Sequence, residues 1–499
     1  MQLLDWMVMA AYGLVVLWIG WRVGRGHQTS DELFLGGRRI PAWAAFCSMV
    51  ATELSAATFI GVPHSGFLGA WFYLQFAFGS LIARFVLATW FLSLYYRLKL
   101  VTVYGFLLQR FGRPAELCAS WFFLAGRLFA SGTRLFIGAL AFAVVTGLSV
   151  EASIVVAGAI AAIYTVSGGI RAVIWTDTLQ GAVFIIAAVT ALVVLHLKMD
   201  GGITTAFTVA GEMGKTTLFN LPDLNFMGHM SAANTLVAAI LGGFFLTMAT
   251  HGTDQDMVQR LLTTKSSRKG GLALIASGFA NFPLTILFLS LGTCLWWYYL
   301  GWAGDYSITD HERIFPIFVF NEIPTGLKGL IFAGLFAAAM SSMDSSLNSL
   351  ATTWVVDIKG NRGTAEAKVR STRNATLTFG LLEIVAAIVA YKWYLVQQES
   401  GSTLSLVDIA LSSMNIVYGG LLGAFLVGLL TPSRGTSCSV VVGMILSACL
   451  GLTFALQAPL FGQVYVAWPW WIVYGTVLSF AVGASVRSVA GQGVIHEQQ

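Results

Sequence analysis

The chain has 499 residues, 57% of them hydrophobic and only 10% charged, where a soluble domain carries about 25% charged residues. That composition excludes a soluble fold, and the net charge of +5 is no nucleic-acid signal. Apolar runs of about 18 or more residues, each long enough to cross a bilayer, follow one another so closely that residues 1–499 read as one all-α integral membrane domain.

In chain order, the first run lies at about 4–21. It has no basic residues before it and Arg22 and Arg25 after it, so it reads as a retained span and not a cleaved leader. Further spans are predicted at about 43–67, 69–94, 115–147, 151–169, 174–196, 232–250, 271–300, 326–352, 374–393, 404–430, 437–457 and 467–486, about thirteen in all. Lysines and arginines test this layout. Arg22, Arg38, Arg97, Arg110, Arg171, Arg260, Lys359, Arg434 and most others fall in one set of alternate loops. Lys198, Lys215, Arg313, Lys328 and Lys392 fall in the other. The rich set is expected in the cytoplasm, which puts the N-terminus outside and the C-terminus inside. The longer loops 197–231 and 301–325 are expected over an outer vestibule, and Cys47, Cys118, Cys294, Cys438 and Cys449 as packed free thiols.

Spans two to six (43–196) and seven to eleven (232–430) form two units of five. An odd number makes the second enter the membrane in the opposite sense, an inverted repeat with its site near the midplane. Helix 4–21 stands before the repeats and spans 437–486 after them. The first helix of each unit should be interrupted: span two at Val50–Thr58, span seven along the stretch from Gly242-Gly243 into Met248–Asp254. Ordinary packing of small residues is the plainer alternative.

A monovalent cation such as sodium is hard and seeks oxygen. In span nine, Ser341 and Ser345 share one face and Ser342 and Ser346 the next, with Asp344 between them. An unpartnered aspartate at a helix centre costs roughly 2.5–3.5 kcal/mol. A cation site against freed carbonyls of Ala51 and Leu54 fits this pattern; a serine packing face with Asp344 bonded to a neighbouring helix is the alternative. Asp177, after Trp175-Thr176, reads either as an ion ligand or as a helix N-cap.

Four segments in order resemble the sodium:solute symporter family: Glu32–Trp43, Tyr164–Gln180, Gly252–Arg260 and Ala337–Asn348. The resemblance implies a leucine-transporter-like 5+5 inverted repeat with one extra span before it. It implies sodium-coupled import of a small polar solute, an organic acid such as sialic acid or a sugar, by a multi-pass cell-membrane protein that is not an enzyme and works as a monomer. It implies a first Na+ site at the carbonyls of Ala51, Leu54 and Ala338 with the Ser341 and Ser342 hydroxyls. Some members have a second site, whose carry-over lands on Ser341, Asp177, Asp344 and Ser345, so one or two transported Na+ ions are expected. Many relatives have serine where this chain has Asp344. For the solute, the resemblance points to Ser55 and Thr58 of the broken span and Arg127 of span four. The broken span also presents Glu53, span three brings Gln75 and Phe78 as further expected solute contacts, and Arg134 follows Arg127 seven residues on along a similar helix face. Arg127 either binds a substrate carboxylate or pairs inside the bundle, with Glu53 or carbonyls. Tyr164, Gln180 and Asp254–Arg260 read as gate or scaffold groups, Asp254 and Arg260 as a weak loop ion pair.

Other classes fit less well. A channel wants symmetric pore subunits or a filter loop. A membrane enzyme wants clustered histidines or acids, yet the seven histidines are scattered and no HExxH occurs. A sensor wants a soluble signalling domain. Proton coupling through Asp177 or Asp344, and an amino acid as solute, stay open.

Overall fold

The structure is a computed structural model that describes residues 1–24, 30–166, 169–302, 313–360, 362–399 and 406–487. Among these the secondary structure is helical, apart from isolated bridges at Ile40–Thr264 and Arg434–Arg487. Arg25, residues 167–168, the Tyr164 side chain and the C-terminal tail lie outside the described residues.

The long helices are α1 (Leu3–Gly24), the pair α2 (Ala42–Glu53) and α3 (Ala56–Leu68), α4 (Trp71–Arg97), α5 (Arg113–Thr146), α6 (Val150–Thr165) and α7 (Gly169–Lys198). After two short helices over loop 197–231 come the pair α8 (Leu236–Gly252) and α9 (Gln255–Leu262), α10 (Ser267–Trp296), α11 (Leu327–Thr353) and α12 (Ala365–Glu399). The chain closes with α13 (Leu406–Leu430), α14 (Ser437–Ala455) and α15 (Trp468–Ala484). By length and apolarity nine of the described helices can cross a membrane, eleven with the two bent pairs counted as single spans. A count of thirteen adds α6 and α15, of 16 and 17 residues.

Both repeat-opening helices are broken. The α2–α3 bend is 59° and the α8–α9 bend 60°. At the first, Leu54 and Ser55 leave helical geometry and the Ser55 N–H donates to the Glu53 carbonyl (3.0 Å). The Ala51 carbonyl thereby loses its usual i+4 donor. At the second, Asp254 is extended and its side chain accepts from the Asp256 N–H (2.8 Å), an N-cap that starts a helix in a new direction. Gly242 and Gly243 are not the break. They stay helical, and close contact explains their lack of a side chain: a Cβ on Gly243 would stand 2.5 Å from the Phe76 carbonyl, and one on Gly242 2.6 Å from Pro469.

α5, α6, α11 and α12 pack together as a scaffold, α4 lies along α8, and α7 bridges α2 and α11. α11 is the most enclosed span, 78% of its apolar window being buried, against 11% for α1. α1 sits on α7 and α11. Its buried Asp5 accepts from the Gly326 (2.7 Å) and Gly329 (3.1 Å) N–H groups at the N-terminus of α11, where a helix favours an anion. Lys198–Glu322 (2.6 Å) and Lys392–Glu151 (2.7 Å) join loops assigned to the lysine-poor side. Arg110 reaches the Thr431 carbonyl (3.0 Å) on the rich side.

Candidate functional site

Buried oxygens meet where the first break faces α11. Ser341 Oγ donates to Asp177 Oδ1 (2.6 Å), and Ser48 Oγ, from α2, donates to Oδ2 (2.6 Å). One carboxylate thus ties α2, α7 and α11 together. Gly181 lets α7 come this close, since a Cβ there would lie 3.0 Å from the Ala51 Cβ. Ser342 Oγ donates to the Ala338 carbonyl (3.2 Å), leaving its lone pairs outward. Among the described residues no donor serves the carbonyls of Ala51 or Leu54. The five expected first-site residues are buried on elements in mutual contact, and their donor set of carbonyls and hydroxyls suits Na+.

The expected second-site residues divide. Asp177 is no N-cap: α7 begins at Gly169, two turns earlier, so Asp177 sits within the helix, fully buried. It pairs with Arg260 Nη2 (3.1 Å). Ser345 Oγ donates to Asp256 Oδ2 (3.2 Å). Asp344 points elsewhere, its Oδ1 accepting from Thr165 Oγ1 of α6 (2.6 Å). The helical rotation between 341 and 344 carries that carboxylate round toward the scaffold.

A chain of alternating charge runs from this region. Arg260 joins Asp177 to Asp256 Oδ1 (2.7 Å), and its Nε donates to Ser48 Oγ (2.9 Å). Arg127 joins Asp256 to Asp254 Oδ2 (3.2 Å), which also accepts from Tyr418 OH (2.6 Å). All of these side chains are buried. Asp254 and Arg260 therefore do not form a weak loop pair: Arg260 bonds Asp177 and Asp256, away from water, where partners are indispensable. Gln180 is buried with both amide atoms lacking a described partner.

Beside the first break lies a cavity of about 160 Å³ whose polar lining includes Thr52, Glu53, Thr58, Ser80, Arg84, Arg127, Arg134, Thr247, Thr250, His251 and Asn281. A smaller one of about 110 Å³ shares Tyr73, Ser80, Thr247, Asn281 and Thr285. Thr58 and Arg127 line the cavity; Ser55 forms the extended turn of the break. Gln75 does not line it. Its amide donates to the Phe72 (2.9 Å) and Asn234 (3.2 Å) carbonyls and accepts from the Asn220 N–H (3.0 Å), pinning the outer loop. Phe78 points away, packing on Phe282 (5.0 Å) and Phe219 (5.9 Å).

The three arginines of the lining differ. Arg127 pairs with Asp254 and Asp256, not with Glu53. Arg84 holds Glu53 by two bonds (3.0 and 2.6 Å), with His251 Nε2 3.2 Å from the same carboxylate. Arg134, two turns beyond Arg127, has one hydrogen bond, to the Met414 sulfur (3.5 Å), and no carboxylate among the described residues. In the sequence nothing marks Arg134 beyond the helix face it shares with Arg127.

The sodium:solute symporter family model matches residues 33–445. A sodium/sialic acid symporter of Aliivibrio fischeri is 30% identical over 453 residues, covering 89% of this chain and 86% of the relative. The human sodium-coupled monocarboxylate transporter 1 is 27% identical, covering 88% and 71%. A solved Na+-coupled sialic acid symporter, substrate-bound and outward-open, superposes with a TM-score of 0.83 at 25% identity, covering 98% of this chain and 99% of that one.

Proposed function

The chain belongs to the sodium:solute symporter family, and from that premise we propose that it imports a small organic acid together with Na+ by alternating access. Sodium is a transported co-substrate of this multi-pass membrane protein. In this reading the ion is held by the carbonyls of Ala51, Leu54 and Ala338 and the hydroxyls of Ser341 and Ser342. Solute binds in the cavity beside the break, so the two ligands share the α2–α3 turn.

Arg134 carries the solute class. A guanidinium in a membrane cavity is costly without an anion, and of the three lining arginines it alone lacks a carboxylate among the described residues. A solute carboxylate supplies one, as a bidentate pair. Sialic acid and monocarboxylates, named for the two relatives, are both acids, and the hydroxyl-rich lining favours a polyhydroxylated one. Arg127 then acts as the wall that supports the site. A second ion at Asp177, Ser341 and Ser345 requires Arg260 to release Asp177, so one ion per cycle is the simpler stoichiometry. We take thirteen spans with the N-terminus outside as the topology, supported by ion pairs that join only loops of one side. A single chain contains both breaks and the cavity, which suits a monomer.

The test is uptake into proteoliposomes across a panel of sialic acids, sugar acids, monocarboxylates, neutral sugars and amino acids, with sodium or potassium outside. Wild type is expected to take up an acid only with sodium, and Arg134→Ala to lose at least tenfold of that uptake while keeping its sodium-induced thermal shift. Sodium-driven uptake of a neutral solute, undiminished in Arg134→Ala, would overturn the assignment.

A further inference from the structure

Glu53 sits between the two carbonyls assigned to the ion, those of Ala51 and Leu54, and its own side chain turns into the cavity. Its carboxylate is gripped from two directions. Arg84 of α4 bonds Oε1 through Nη1 (3.0 Å) and Oε2 through Nη2 (2.6 Å), the planar fork that fixes orientation as well as distance. His251, next to last in α8, places Nε2 3.2 Å from Oε1, while its Nδ1 lies 2.9 Å from Thr250 Oγ1. Arg84 is itself fixed by Ser277 of α10 and by Ser80 Oγ (3.4 Å), and its side chain is 1% exposed.

The last residue of α2 is thus joined to the end of α8. The two broken helices are coupled at their breaks through this carboxylate. Residues without helical hydrogen bonds keep a fixed direction only when the surroundings over-determine them. Around Leu54 and Ser55 the turn has one internal backbone bond from each residue, and the glutamate clamp is the strongest additional restraint.

We propose that Arg84 and His251 are positioning residues for sodium: by fixing Glu53 they aim the Ala51 and Leu54 carbonyls, although neither side chain belongs to the ion's ligand set. The inference rests on the ion site described under the proposed function. Because Glu53 and Arg84 also line the solute cavity, the test separates ion from solute.

Sodium half-saturation is measured by thermal shift of purified protein and by uptake at saturating solute. Solute half-saturation is measured at saturating sodium. Arg84→Gln is expected to raise sodium half-saturation roughly tenfold or more, by a larger factor than it moves solute half-saturation, and Glu53→Gln to move the same way. Arg84→Lys, which keeps the charge and loses the fork, is expected to fall between and serves if the glutamine variant does not fold. Unchanged sodium half-saturation in Arg84→Lys and Arg84→Gln would overturn the proposal, as would a rise confined to solute, which would make Arg84 a solute ligand. Wild type that shows no sodium response in either readout would remove the ion site itself, a failure distinct from a normal wild type with insensitive variants.

Discussion

Ser341 does two things at once: it offers a lone pair to the proposed ion and donates to Asp177 (2.6 Å). Ser341→Ala is expected to raise the sodium needed for half-maximal uptake at least tenfold, whereas Asp344→Ala, whose carboxylate faces Thr165, should shift it less than twofold. Sodium titration of uptake distinguishes them. Arg127 behaves differently because it is buried between two aspartates. Arg127→Ala leaves both carboxylates without their shared cation and is expected to cost about 3–5 kcal/mol of stability, read as a fall in the thermal unfolding midpoint whether or not solute is present. That the serines of α11 form an inward, buried face was legible because hydroxyl spacing along one helix is a local signal. The difference in partners between Arg127 and Arg134 was not. They lie two turns apart on α5, and what separates them is Asp254, 127 residues from Arg127 in sequence. Gln75 and Phe78 misled for the same reason: span three was recognised, but the rotation of its faces is set by loop and helix contacts that the chain makes far downstream.

At the scale of helices, both breaks were readable as polar interruptions of apolar runs, and the first falls within Val50–Thr58. The second was readable only as a stretch running from a glycine pair to Asp254. The pair serves packing and the aspartate makes the turn, because a side-chain cap specifies a helix start and glycine only permits a bend. The same close approach predicts sensitivity at Gly79, where a Cβ would stand 2.1 Å from the Ile240 carbonyl and 2.8 Å from the Phe244 N. These are backbone atoms of α8 and cannot step aside. Gly79→Ala is expected to destabilise by about 1–3 kcal/mol through forced separation of α4 and α8, measured by thermal unfolding in detergent. Because α8 leads into the second break, solute affinity should fall with it.

For the molecule as a whole, apolar run lengths carried most of the helix layout, and each predicted span coincides with a helix or bent pair. Which spans face lipid was not legible, since α1 and α11 are both apolar enough to cross a membrane yet differ sevenfold in burial. The topology has its own test: a membrane-impermeant maleimide should label Leu148→Cys in intact cells and Lys359→Cys only after permeabilisation, on a background lacking the native cysteines. The alternating chain from Asp177 to Asp254 bears on coupling in a further way. Its two guanidiniums, Arg127 and Arg260, stand against three carboxylates, and Arg134 in the same cavity lining offsets the remainder. Counting these groups as ionised, the empty carrier is electroneutral there, and so is the carrier holding one Na+ with one monoanion. A half-loaded carrier has an unbalanced charge to move through a low-dielectric core. Slippage with either passenger alone is thus penalised by electrostatics before any gate closes, and a monovalent acid should cross without net current on a solid-supported membrane.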